Sequence, residues 1–222
     1  MFRAILQGVP VYLAIGHIQA VKVMIGFLIF SLMLLVVTFT TPGWRVQKNE
    51  TSGIVEYMAL MYDVRCDQEG CGTHIVSEDK AKKDFLIHFI KWIFEGMFPI
   101  LCSSVSLILL ILAILKPRWQ DSFFLISTFS LEISMVLQWD LIATFAEFNR
   151  MANADKLKLK GYSFPVPWNF VLHSFSAFLT TMVMLASFLI LMKRLVVNAK
   201  ANDETEEEVV TVIDESEAES LI

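Results

Sequence analysis

Thr41-Pro-Gly-Trp-Arg-Val46 opens a polar stretch that runs to about Asp84 and contains Arg65-Cys-Asp-Gln-Glu-Gly-Cys71. It is the only long polar segment lying between strongly apolar ones, and its reading decides the fold. Gly53 to Tyr62 is rich in β-branched and aromatic residues, and Asp63 to Cys66 continues the pattern, which predicts one long strand. Asp67-Gln-Glu-Gly70 places Asp first and Gly last, as a tight turn prefers. Cys71 then begins a return strand through Val76. Facing residues of an antiparallel pair lie about 4.5–5.5 Å apart at Cα, a gap that a disulfide spans. A Cys66–Cys71 bridge is therefore expected in an oxidising compartment. Free thiols, or a metal site using His74, are the competing readings.

Four apolar runs flank this loop and follow it, at about residues 21–39, 85–115, 122–144 and 168–192. Each has roughly twenty residues or more, enough for a hydrocarbon slab of about 30 Å. The 222-residue chain is 55% hydrophobic with a mean hydropathy of +0.59, the composition of a protein whose solvent is the bilayer. Its order reads as an N-terminal segment 1–20, spans 21–40, 85–115, 122–147 and 168–192, loops 41–84 and 148–167, a hinge 116–121 and a tail 193–222. Pro10 is expected to break any helix in the first segment. Nine of the 23 acids crowd the tail, so the rest of the chain is net basic although the total is −5. Such a tail is too charged to pack, and nothing marks a nucleic-acid partner.

Lys116, Arg118, Lys193 and Arg194 abut their spans, and Asn49-Glu50-Thr51 is a glycosylation sequon usable only outside. Both termini are then cytoplasmic, against a cruder count that puts more loop bases outside. Trp44 and Trp168 fall where aromatic rings favour the water boundary. Lys156-Leu-Lys-Leu-Lys160 alternates as a half-buried strand that could extend the first loop's sheet. Lys91 and Glu95 have the spacing of an interfacial ion pair, and His173 reads as a hydrogen-bonded bundle residue.

Glu132 lies about ten residues into the third run, near the midplane, where a carboxylate is expensive. The preferred reading is a neutral acid in a polar clasp with Ser103 and Ser106, or with Ser31 or Thr180 at similar depth. A transport or sensing role is the other. No phosphate-binding glycine loop, HExxH, GxSxG or CxxC is present, so neither an enzyme nor a cofactor is expected. The C-terminal Ser220-Leu221-Ile222 has the form of a PDZ ligand.

Four spans, a larger first loop, Pro42-Gly-Trp-Arg45 just past span one and the nearby Cys66 and Cys71 resemble the claudin and peripheral myelin/epithelial membrane protein superfamily. Within it, the narrower resemblance is to the invertebrate claudin-like (Clc-like) branch. The family's Gly-Leu-Trp before its first cysteine is Ala59-Leu60-Met61 here. The resemblance implies a mainly α membrane protein, a left-handed four-helix bundle capped by a small extracellular antiparallel sheet, with Trp44 and Arg45 anchoring the loop. It also implies a plasma-membrane protein of cell–cell contacts, bound to itself or related four-span proteins in cis and trans and acting on junctions and paracellular permeability. The alternative is an auxiliary subunit that modulates a channel or receptor.

Overall fold

A computed structural model describes residues 2–75, 83–155, 162–163 and 165–219. Four long helices carry the chain: α1 (Phe2–Thr40), α2 (Lys83–Leu115), α3 (Gln120–Asp155) and α4 (Trp168–Glu219). A 3₁₀ turn, Pro117–Trp119, joins α2 to α3. Four stretches are long and apolar enough to cross a membrane, one on each helix with the third starting in the 3₁₀ turn: Ile18–Thr40, Ile90–Leu115, Pro117–Glu147 and Trp168–Val197.

The burial of these helices is inverted relative to a water-soluble bundle. Phe27, Met33, Leu101, Ile108, Phe129, Val136, Phe178 and Leu189 point outward, while Ser31, Ser103, Ser127, Ser134, Gln138, Ser176 and Thr180 are fully buried. So much exposed apolar surface needs an apolar environment to cover it. Inside, hydroxyls and one amide form a hydrogen-bonded chain through all four helices. Ser31 (α1) meets Thr180 (α4) at 2.9 Å. The Gln138 amide (α3) donates to Thr180 at 3.2 Å and to Ser134 at 3.0 Å. Ser134 meets Ser103 (α2) at 2.9 Å. Further from the sheet, Ser106 Oγ donates to the Ser127 carbonyl at 3.0 Å, and Thr128 meets Ser187 at 2.8 Å. Around that layer pack Val21, Met24, Leu28, Leu110, Phe124, Leu131 and Val183.

At the opposite end of the bundle the α1–α2 connection forms a sheet. Its strands are β1 (Arg45–Asn49), β2 (Val55–Met58), β3 (Tyr62–Cys66) and β4 (Cys71–Ile75), extended by the two residues of β5 (Tyr162–Ser163) from the second loop. The order is β4-β3-β2-β1-β5, and every described pairing is antiparallel.

Several expectations are corrected. The long strand predicted from Gly53 is two strands separated by Ala59-Leu60-Met61, because Ala59 and Leu60 turn inward and are buried on the bundle. Arg45–Asn49 was not foreseen as a strand. Pro10 does not end α1; it withdraws only the N–H that the Leu6 carbonyl would have received. The charged tail continues α4 to Glu219 instead of leaving the helix at Met192. The short strand of the second loop is at Tyr162–Ser163, and Lys156 to Lys160 lie outside the described residues. Glu132 is not in the clasp: Leu131 and Ser134 take the inward positions of that turn, and Glu132 faces out.

Candidate functional site

The sheet is fixed to the bundle through Trp44. Pro42-Gly43 stops α1 and swings the next residue back over the helix ends. Gly43 adopts φ +141°, and a Cβ there would stand 2.4 Å from the Trp168 ring. Backbone N–H groups of Gly43 and Trp44 both donate to the Met58 carbonyl at 3.0 Å. The indole is fully buried, donates from Nε1 to the Thr38 carbonyl at 2.8 Å, and packs 4.7 Å from the Phe145 ring and 4.9 Å from His173. Trp92, Leu60 and Leu141 complete the cluster. His173 is buried, as expected, with Nδ1 3.2 Å from the Thr38 hydroxyl. Asn169 Nδ2 closes the corner by donating to the Thr41 and Thr38 carbonyls.

Beside this cluster, Lys91 Nζ lies 3.2 Å from Glu95 and 3.2 Å from Asp140. The expected Lys91–Glu95 pair is thus a three-membered bridge between α2 and α3. Glu95 is 3% exposed and Lys91 45%, so the bridge has a buried inner end and an exposed outer one.

The far end of the sheet is stapled as the spacing predicts. Cys66 and Cys71 face each other in register and form a disulfide. Between them Asp67 accepts backbone N–H groups from Glu69 and Gly70, an Asx turn that presets the hairpin. At the other edge Asn49 closes β1, its side-chain oxygen accepting from the Thr51 and Ser52 N–H groups. Glu50 accepts the Ser163 hydroxyl and pairs with Lys48 at 3.5 Å, tying the second loop to the first. Those two contacts, the Ser163 bond first, hold the Glu50 carboxyl below its usual range.

Strand register gathers Arg45, Gln47, Glu56, Met58, Asp63 and Arg65 on one face of the sheet. They line an open cleft of about 340 Å³. Arg65 Nε lies 3.8 Å from Glu56, and Arg45 donates to Gln47 at 3.3 Å. Burial lowers the Arg45 pKa, against the raising effect of Glu56 and Asp63. The cleft therefore offers two guanidinium and two carboxylate groups to a polar partner, with Met58 as its apolar floor. Arg45 lines this cleft together with Gln47. Sequence reasoning missed the cleft, although the alternation Arg45, Gln47, Asn49 signals one polar face once β1 is a strand. Gln138 was likewise missed, yet it stands four residues after Ser134 and shares its helix face.

Of the remaining sequence candidates, Ser103 and Ser106 join interhelical bonds as expected, but with serines and not with Glu132. Ser220, Leu221 and Ile222 lie outside the described residues. Searched against known protein families, the chain matches none, and no curated protein is significantly similar to it.

Proposed function

We propose that the chain is a claudin-like four-span protein of the plasma membrane whose stapled sheet faces outside and recognises neighbouring cells. In this reading both termini are cytoplasmic, Asn49 is the glycan acceptor, and Ser220-Leu221-Ile222 is offered to a PDZ domain inside. The observation that carries the proposal is the cleft at Arg45, Glu56, Asp63 and Arg65, held on a sheet that Trp44 fixes to the bundle. A rigid scaffold loses little ordering entropy on docking, and paired opposite charges favour one register of partner over others.

The test uses cells that lack other adhesion molecules. Expression of the wild-type chain should make them aggregate and should enrich it at contacts. Glu56→Lys and Arg65→Glu, each delivered normally to the surface, should abolish aggregation singly. The two reversals combined should restore it in part if the pair acts on a copy of the same face. Absence of aggregation by the wild type, with a channel co-purifying at fixed stoichiometry, assigns the chain instead to an auxiliary subunit.

A further inference from the structure

Glu132 is the central residue of the candidate span Pro117–Glu147. It faces outward, with no hydrogen bond or ion pair to any described residue. Every other charged residue in the four spans lies within about two turns of a span end. A carboxylate facing hydrocarbon at that depth is costly even when neutral, because a protonated acid still brings one unsatisfied donor and one unsatisfied acceptor.

The face around it is regular. Ser122, Leu125, Phe129, Glu132, Val136, Trp139 and Ala143 are all exposed and spaced alternately three and four residues apart. That is the a/d seam of a heptad repeat, sustained for three heptads, with its one acidic residue at the middle. A single polar group in such a seam sets register and partner number.

We propose that α3 pairs with α3 of a second copy in the same membrane, about a two-fold axis through Glu132. The inference rests on the membrane placement above, not on the adhesive role. Two copies inserted the same way carry Glu132 at identical depth. A two-fold axis normal to the membrane therefore brings the acids together without mismatch. Two neutral carboxyl groups are self-complementary, each donating one O–H to the other's carbonyl oxygen, so the pair satisfies both without a net charge. The half-exposed hydroxyls at that depth, Ser104, Ser130 and Thr181, already donate to the Ile100, Cys102 and Ala177 carbonyls of their own chain, and no described lipid-facing position there supplies a cation. A copy can thus answer Glu132 only with its own Glu132, which closes the assembly at two.

The experiment reads subunit number by single-molecule photobleaching of the full chain in phosphatidylcholine vesicles, over a dilution series of protein to lipid. Wild type should be dimeric where Glu132→Leu is monomeric, with dimer dissociation raised about five- to thirty-fold in the variant. Glu132→Gln should stay dimeric, since the amide also donates and accepts. Cysteines placed at Phe129 or Val136 should cross-link between copies, and cysteines at Ile126 or Ile133 should not. Oxidised Cys66–Cys71 and unchanged helical circular dichroism identify folded variants. Equal dimerisation of wild type and Glu132→Leu overturns the proposal. So does a monomeric wild type at every dilution, or cross-linking only to a different chain that carries an intramembrane Lys or Arg. Loss of cell aggregation in variants of the sheet cleft leaves this result unmoved, so the two proposals fail separately.

Discussion

Replacing Trp44 by Ala should release the sheet and leave the bundle standing. The indole is fully buried against Phe145 and His173 and makes one hydrogen bond, to the Thr38 carbonyl. Removing a buried Trp side chain costs about 3–5 kcal/mol. Thr38 O also accepts from Asn169, so the carbonyl is not orphaned and adds little to that figure. Trp44→Phe keeps the ring contact and loses only the Nε1 bond, worth about 1 kcal/mol. The nearest link of the polar chain, Ser31, stands seven residues from Thr38 along α1, roughly 10 Å by helical rise. Helix closure there does not depend on the indole. Detached from its apolar base, a four-stranded sheet has no core of its own. Amide exchange followed by mass spectrometry in mild detergent should show β1–β4 exchanging about two to three orders of magnitude faster in Trp44→Ala. Peptides containing Ser103, Ser134 and Thr180 should change by less than threefold. Strand exchange in Trp44→Phe should rise only about fivefold. Unchanged strand protection in Trp44→Ala, or equal loss in strands and helices, would refute the reasoning.

Gly43→Ala should fail more severely than a surface loop change. It combines a positive φ with a Cβ 2.4 Å from Trp168, and a thermal melt should lose the sheet transition first. Gln138→Leu removes one interhelical bond, to Thr180, and one to Ser134 on its own helix, and should lower bundle stability by about 1–2 kcal/mol in a denaturant titration. The same change at Glu132 should leave monomer stability within about 0.5 kcal/mol, as befits an outward position. Glu50 titrates below its unfolded value because Ser163 and Lys48 favour the charged form. Its contribution is therefore present above the unfolded pKa, near 4.5, and is lost as pH falls through the folded one. An NMR titration should place the Glu50 midpoint below 4.5, and Ser163→Ala should move it upward.

The spans, the hairpin and its staple were legible because each is a local signal: an unbroken apolar run, an Asx turn, two cysteines five apart. Trp44 was legible as a boundary residue, and its seat between Phe145 and His173 was not, since those partners lie on α3 and α4. Composition counted Ala59-Leu60-Met61 into a strand, whereas tertiary burial of Leu60 folds it into a turn. Depth along α3 follows from counting residues, which located Glu132 at the midplane. Facing depends on which neighbours α3 packs against, and the sequence pattern alone assigned Glu132 to the wrong side. Ser134 and Gln138, uncharged and unremarked, hold the inward positions.

Membrane-impermeant maleimide applied to intact cells tests the central claim most directly. Cys66 and Cys71 should label from outside only after reduction, and buried Cys102 should not label under either condition. Labelling of Cys66 and Cys71 without reduction, and only once the cells are permeabilised, would place the sheet in the cytosol as free thiols and contradict the account.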